Sequence, residues 1–362
     1  MKIILTVFND LTTDQRMIRI CTSLSGAGYQ VLLVGRKEAH SLPLQSRSYQ
    51  QERLSCFFRK GKALYIEFNL RLFFYLLFRR PRIICAIDLD TILPCYLISL
   101  FAKCKRVYDA HELFCEMKEI VTRPVIYRAW KKLERFTVPR FRLGYTVSGP
   151  IADEFRKMYG VQYTVIRNLP VLKPLMIGEK STRFILYQGA VNEGRCFETL
   201  IPAMKQVPAR LVICGDGNFM QQARELVKMH DLDEKVEFKG RLSPEQLELI
   251  TRNAWAGVTL FDKTGLSNYY SLANRFFDYF HAGLPQVCVN FPVYKEINNQ
   301  YPLAVLIDDQ EPATIAEALN RLLEDKVLYH QLQQQCMKAR EVLNWQEEEK
   351  ELLKFYEGLF GQ

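Results

Sequence analysis

At 362 residues the chain is long enough for two domains of ordinary size, each with its own core. Hydrophobic residues at 48% and charged residues at 25% exclude a disordered chain, and the formal net charge of +9 points to an anionic partner without choosing among nucleotide phosphates, nucleic acid and acidic lipid head groups. The ten cysteines are scattered through apolar runs with no CxxC pair, which argues for reduced, buried thiols in a cytosolic setting and against a disulfide framework or a zinc site.

MKIILTVFND reads as a first buried strand (Ile3 to Val7) and not as a signal peptide. The polar loop after it carries Asn9, Asp10, Thr12, Thr13, Asp14 and Arg16, which can hydrogen-bond a sugar or cap the helix that follows to about Gly26. With a second strand at Val31 to Val34 this is a βαβ start that lacks GxGxxG, so the loop sits at a ligand-binding sheet edge without the usual dinucleotide fingerprint. Glu67 to Arg82 is apolar, aromatic and closed by Arg79, Arg80 and Arg82. Two readings compete: a surface helix on an anionic membrane, or a buried crossover helix whose basic end suits its macrodipole, the second favoured because such helices need a broad apolar face.

A strand at Ile83 to Ile87, a helix near Leu93 to Lys103 and a strand at Arg106 to Tyr108 lead into the turn Asp109-Ala110-His111-Glu112. A histidine there can exchange protons near neutral pH with flanking carboxylates orienting it, or can simply satisfy the loop. Tyr127 to Arg142 reads as a basic aromatic helix, either a membrane or acidic-acceptor contact or a solvated charged face. No apolar run approaches the roughly 20 residues that span a bilayer; the best, Thr91 to Ala102, is short and interrupted by Pro94. Arg167 to Arg183, with two prolines and no period, reads as a linker.

A second α/β series follows, with strands at Phe184 to Gln188, Arg210 to Cys214 and Val236 to Phe238 running into Gly189, Gly215 and Gly240, where backbone and ligand can approach closely. In Asn268 to Glu296, Ser271 is expected to cap a helix that buries Phe276, Phe277 and Phe280 and is stopped by Gly283 and Pro285. Asn274 and Asp278, four apart, share a face that can hold a phosphate and a ribose diol, or is an ordinary polar face. Trp345 to Phe360 is a charged helix with Leu352, Leu353, Phe355, Tyr356, Leu359 and Phe360 as packing residues.

In order and spacing, YQGAVNEGR (Tyr187 to Arg195), VICGDG (Val212 to Gly217), VEFKGRLSPEQL (Val236 to Leu247) and SLANRFFDYFHAGLPQV (Ser271 to Val287) resemble the family 4 glycosyltransferases of the GT-B fold, and the resemblance spans the chain. NDLTTDQR and YDAHE are similar to a bacterial branch associated with cell-surface polysaccharide synthesis. The resemblance implies an α/β protein with two facing Rossmann-like domains and the active site in the cleft between them. The expected organisation is an acceptor-side domain over 1–168, a linker over 169–183, a donor-binding domain over 184–340, and a C-terminal helix over 341–362 packing back on the first domain.

The resemblance also assigns roles. Gly189 opens the donor loop, Arg195 neutralises the donor diphosphate, Asp278 holds the ribose hydroxyls, and His111 lies on the acceptor side near the reacting sugar. Amides around Ser271 to Asn274 are expected to face the phosphates, and Arg241 follows the glycine of the nucleobase loop. Gly215, Asp216, Tyr270, Leu272 and Arg275 complete the expected donor-binding set, with Asn9, Asp10 and Arg16 on the acceptor or sugar side. Three positions depart from the family pattern: Tyr270 stands for the first acid of the pair, Ala190 for an arginine and Cys196 for a glycine, leaving Arg275 or Arg16 to replace the lost charge.

The implied activity is a cytoplasmic, retaining, metal-independent transfer of a sugar from a UDP or GDP type donor to a glycan or lipid-linked acceptor. It needs no cofactor beyond that substrate and no nucleic acid, and it leaves open whether the protein is purely cytoplasmic or also contacts the inner face of the membrane peripherally. Asp88-Leu89-Asp90 has the spacing of a metal-binding DxD but stands in the half away from the donor elements. The alternatives are a GT-B type nucleotide-sugar epimerase, which usually presents more acids and histidines, and a non-enzymatic basic binding module, which for RNA needs stacked aromatics on an exposed basic surface.

Overall fold

The structure, a computed structural model, describes residues 1–12, 14–175 and 183–360; Thr13, the stretch 176–182 of the expected linker and the packing of the Phe360 side chain lie outside the described residues. The chain forms two compact units, the first made of Met1–Glu116, Ile120–Asn168 and Gln346–Gln362, the second of Met117–Glu119 and Leu169–Trp345.

Through the first unit the order is β1 (Lys2–Thr6), α1 (Gln15–Gly26), β2 (Gln30–Lys37), β3 (Gln50–Ser55), α2 (Gly61–Leu77), β4 (Ile83–Ile87), α3 (Ile92–Ala102), β5 (Lys105–Ala110), α4 (Lys118–Val121, its first two residues counted with the second unit), α5 (Pro124–Thr137), β6 (Leu143–Thr146), α6 (Gly149–Tyr159) and β7 (Thr164–Val165). Its strands are all parallel, in the order β3-β2-β1-β4-β5-β6-β7. Every residue of β4 (IICAI) is buried, which is why the strand reads as a continuous apolar run: helices cover both faces of a parallel sheet.

The second unit continues with β8 (Phe184–Gln188), α7 (Phe197–Ala203), β9 (Arg210–Cys214), α8 (Met220–Met229), β10 (Val236–Gly240), α9 (Pro244–Asn253), β11 (Ala256–Thr259), α10 (Leu266–Tyr269), α11 (Asn274–His281), β12 (Gln286–Val289), α12 (Pro292–Gln300), β13 (Ala304–Ile307), α13 (Pro312–Glu324) and α14 (Lys326–Val342). The sheet is again parallel, ordered β10-β9-β8-β11-β12-β13. The final helix, α15 (Trp345–Phe360), lies in the first unit beyond its first residue. There the Tyr356 and Tyr145 hydroxyls are 3.4 Å apart, and Glu348 accepts from the Arg167 amide at 2.6 Å and from its Nε at 3.2 Å.

In both sheets the strand order reverses beside the first strand, between β1 and β4 and between β8 and β11. Such a switch point opens a crevice at the carboxyl ends of the strands, where open α/β sheets bind ligands.

Several local expectations are corrected. The edge strand β3 (QQERLS) was not expected, because its polar sequence carries no strand period. Helix α2 starts at Gly61 and stops at Leu77, so Arg79, Arg80 and Arg82 lie past its last residue, with the Arg79 guanidinium turned back over the Tyr75 ring at 4.5 Å. Nor is α2 a buried helix: Leu64, Phe68, Leu72 and Leu76 are buried, whereas Ile66, Leu70 and Phe74 are exposed. In α5 the basic face is not wholly solvated, since buried Lys131 pairs with Glu134 at 2.8 Å and with Glu116 at 3.1 Å.

Candidate functional site

Three strand ends of the second unit meet through glycines. The Gly189 amide donates to Cys214 O at 2.9 Å and the Gly215 amide to Gly240 O at 2.8 Å. A Cβ on Gly215 would stand 1.8 Å from Gly189 O, so no larger residue fits there. Gly189 itself has φ +122°. The consequence is a carboxyl edge at β8 and β9 made of bare backbone.

Next to it α11 is anchored by Phe276, Phe277 and Phe280, all fully buried; truncating any one to alanine should cost about 3–5 kcal/mol. Gly283, at φ +65°, closes the helix and donates to Phe280 O. With its apolar face pinned, α11 carries Arg275 inward. The Arg275 side chain is 7% exposed. Its Nη1 reaches Tyr187 Oη at 3.2 Å, its Nη2 reaches Leu260 O at 3.3 Å, and its Nε has no partner. The guanidinium lies 4.7 Å from the ring centres of both Tyr187 and Phe261, and Nη1 would be 3.2 Å from a Cβ on Gly189. None of the described carboxylates forms an ion pair with it.

Arg195 shares the Phe261 ring, its guanidinium 4.4 Å from the centre, and donates to Asn268 Oδ1 at 2.8 Å. Asn268 in turn donates to Asp262 Oδ1 at 3.2 Å, and Asp262 pairs with Lys118 at 2.6 Å. Two guanidiniums on one ring, beside bare backbone, have the chemistry to hold a multiply charged anion. Asp278 is oriented by Gln188, whose Nε2 donates to Asp278 Oδ2 at 2.9 Å while Thr251 Oγ1 donates to Gln188 Oε1 at 2.7 Å. Arg241 and Asp216 are exposed and 3.8 Å apart at the ends of β10 and β9.

The first unit gathers a different set at its switch point. Arg16 grips Asp109 with two hydrogen bonds, Nη2 to Oδ1 at 2.8 Å and Nε to Oδ2 at 3.2 Å, and its Nη1 donates to Ile166 O at 3.2 Å. His111 Nε2 is 3.1 Å from Asp109 Oδ2 and its Nδ1 is 3.2 Å from Asp88 Oδ2. Asp88 also accepts the His111 amide at 2.9 Å, from a backbone held at φ +52°. Burial disfavours the charged imidazole, but Asp88 and Asp109 outweigh it and push the His111 pKa up to about 10. Burial raises the Asp109 pKa, and Arg16 and His111 more than reverse that. At neutral pH the cluster is therefore two cations clamped on two carboxylates.

These arrangements revise parts of the residue reading. His111 is held as a cation with both ring nitrogens engaged, so it does not exchange protons near neutrality. Arg16 is committed to Asp109 and cannot supply the charge lost at Ala190. Asp10 accepts from Thr12 at 2.9 and 2.6 Å and from Arg53 at 2.9 Å, tying the loop to β3. Asn9 donates to Asp14 at 3.3 Å, and Asp14 is the residue that caps α1. Ser271 does not cap α11: the N-cap is Ala273, and the Ser271 hydroxyl donates to Asn268 O at 2.7 Å. The amides of Ser271 and Ala273 bond to Asn268 O and to the Tyr294 hydroxyl, so they do not face a ligand. Leu272 is buried in the core. Asn274 is exposed at the start of α11, and Tyr270 is half-buried with its ring 5.2 Å from that of Tyr269. In the Asp88-Leu89-Asp90 triplet, burial and the nearby Asp88 push Asp90 up to about 8, so it keeps its proton at neutral pH while Asp88 serves His111.

Gln188, Thr251, Phe261, Asp262 and Asn268 were not anticipated. One signal was available: Gln188 ends an otherwise apolar buried strand, and Asp262 follows another apolar run, positions where a polar side chain needs a reason.

Two protein-family signatures match the chain, Glycosyltransferase Family 4 over residues 15–169 and Glycosyl transferases group 1 over residues 177–339. No curated protein matches its sequence. Among solved structures it is similar to sucrose-phosphate synthase from Thermosynechococcus elongatus, with a TM-score of 0.84 at 17% identity over 99% of each chain. HepE from Anabaena in complex with UDP-glucose gives 0.78 at 12% identity, over 99% of this chain and 100% of that one. WaaG, a glycosyltransferase involved in lipopolysaccharide biosynthesis, gives 0.74 at 12%, over 97% of this chain and 98% of that one. At these identities the likeness establishes the fold, which is GT-B.

Proposed function

We propose that this chain, which belongs to glycosyltransferase family 4 and is a retaining transferase with a nucleotide-sugar donor, holds the donor diphosphate between Arg195 and Arg275. The observation that carries this reading is the buried Arg275 guanidinium, beside Gly189 and with no carboxylate on it, sharing the Phe261 ring with Arg195. Burying a charge is costly unless something compensates it, and a diphosphate is the compensation this environment lacks. Guanidiniums donate in pairs to phosphate oxygens, and their hold strengthens as the leaving group gains charge. That is differential stabilisation of the transition state, achieved without a metal ion.

Around that centre, Asp278, set by Gln188, accepts from the ribose hydroxyls, and Arg241 with Asp216 stands on the nucleobase side. Gly189 and Gly215 let the phosphates and sugar approach the backbone. Tyr270, in place of an acid, contacts the transferred sugar by its hydroxyl, and Asn274, at the start of α11, belongs to the same donor-binding set. The first unit is read as the acceptor-binding one, and within it His111 and its carboxylates form a fixed polar cluster with Arg16 as its buried support. The acceptor is a glycan or lipid-linked saccharide in surface polysaccharide synthesis, handled in the cytoplasm.

HepE, solved with UDP-glucose, makes that donor the first to test. A thermal-shift and turnover screen with UDP, GDP and their sugars should find stabilisation by one diphosphate and slow hydrolysis of its sugar. No stabilisation by any of them would remove the donor-site assignment.

A further inference from the structure

Arg195 stands at the end of a chain of contacts that phosphate binding alone does not explain. The loop after β11 places Asp262, whose Oδ1 accepts from the Thr264 amide at 3.0 Å and from Asn268 Nδ2 at 3.2 Å, while its Oδ2 meets Lys118 Nζ at 2.6 Å. Lys118 comes from the three residues Met117–Glu119 that belong to the second unit. Asn268, buried on α10, passes the contact on: its Oδ1 accepts from Arg195 Nη1 at 2.8 Å. The backbone closes the same circuit, because the Asp262 amide donates at 3.0 Å to the carbonyl of Gly194, the residue before Arg195. Gly194, at φ +81°, has no room for a side chain, since a Cβ there would stand 2.9 Å from Asn268 Nδ2.

The chemistry of the partners fixes how this chain runs. A carboxylate only accepts and a guanidinium only donates, so the Asn268 amide between them sits one way round, nitrogen to Asp262 and oxygen to Arg195. Without Asp262 the amide is free to turn its NH2 towards Arg195, and two donors then face each other. The Phe261 ring, 4.4 Å from the guanidinium, bears on it separately, so the ring and the amide together define where it lies. At the amide contact the holding group is neutral. An amide oxygen orients a cation without cancelling its charge, whereas a carboxylate in the same place would do both. The carboxylate of this set stands one step further back, with Lys118 on it.

We propose that Asn268 and Asp262 are positioning residues for Arg195: they aim its guanidinium at a diphosphate through a neutral amide, and Lys118 balances the charge of Asp262 beside that anion. The inference rests on the donor reading and deepens it, from which residue meets the phosphates to what sets that residue.

The test is calorimetric titration of the full chain with inorganic pyrophosphate, which carries neither the base nor the sugar of a donor, beside a melting curve for each variant. The exchange Asp262→Asn with Asn268→Asp keeps the number of charges and of hydrogen-bonding groups but brings the carboxylate onto Arg195. Its melting temperature should match the parent's, while pyrophosphate binding weakens about tenfold because a charged partner now competes for the guanidinium. Asp262→Ala, which frees the amide, should weaken binding about fivefold, the worth of one hydrogen bond. Parental binding by either variant, while Arg195→Ala loses it, would overturn the positioning role and leave the donor reading standing. Parental binding by Arg195→Ala, or no binding by the parent chain, would overturn both. Weakening that merely follows the melting temperature through all the variants would make these contacts structural and overturn the positioning role.

Discussion

Each unit buries an arginine beside its sheet's switch point, and the two are treated in opposite ways. Arg16 meets the carboxylate of Asp109 in a two-bonded grip, 93 residues apart in sequence, with His111 and Asp88 extending the network. Arg275 meets aromatic rings, a hydroxyl and a carbonyl, with its Nε unsatisfied. Burial is similar, 4% against 7% exposed, so burial alone does not separate them. Neutralisation does: Arg16 is paired with a carboxylate, whereas none of the described carboxylates pairs with Arg275, which is the charge the proposed diphosphate site would complete.

The comparison breaks most visibly at Asp109. Asp109→Ala leaves Arg16 without a carboxylate and His111 with Asp88 alone, and a loss of about 3–5 kcal/mol in chemical denaturation is expected. A loss below about 1 kcal/mol would show that the cluster is not the support described. On the other unit, Arg195→Ala should keep its melting temperature and lower turnover about 100- to 1000-fold, the usual cost of removing one donor to a developing charge. Near-normal turnover would take Arg195 out of the mechanism.

Arg275→Met sharpens the contrast. It removes a buried charge that no carboxylate balances, so stability should hold or rise, while diphosphate binding weakens about tenfold in calorimetric titration. A folding defect like that of Asp109→Ala would mean Arg275 is structural. The smallest effect concerns pH. The folded pKa of His111, raised to about 10 from 6.5, makes its contribution complete below pH 6.5 and lost as pH rises towards 10. The melting temperature should therefore fall over that window more steeply in the parent chain than in His111→Gln. Parallel slopes would show that the histidine is not held as a cation.

The residue pattern was most legible where the physics is local. Buried parallel strands announce themselves as apolar runs such as IICAI and FILYQ, and the glycines at their ends mark where a Cβ has no room. Helix α11 was visible from its three phenylalanines and Gly283, but its start was not, since Ser271 looks like a cap and instead bonds back to Asn268. Helix α2 was misread for a related reason: apolar side chains on two faces look the same in sequence whether the second face meets protein or is left bare.

What the sequence by itself determined is therefore the alternation of strands and helices, the glycine-lined edge and the family motifs. These depend on neighbours a few residues apart. Only the tertiary structure decided which charges are neutralised. Nothing near Arg16 in sequence predicts Asp109, and nothing near Arg275 predicts that its surroundings are Tyr187, Leu260 and Phe261. The pairing of a buried charge is a long-range property, set by which strand ends the sheet order brings together.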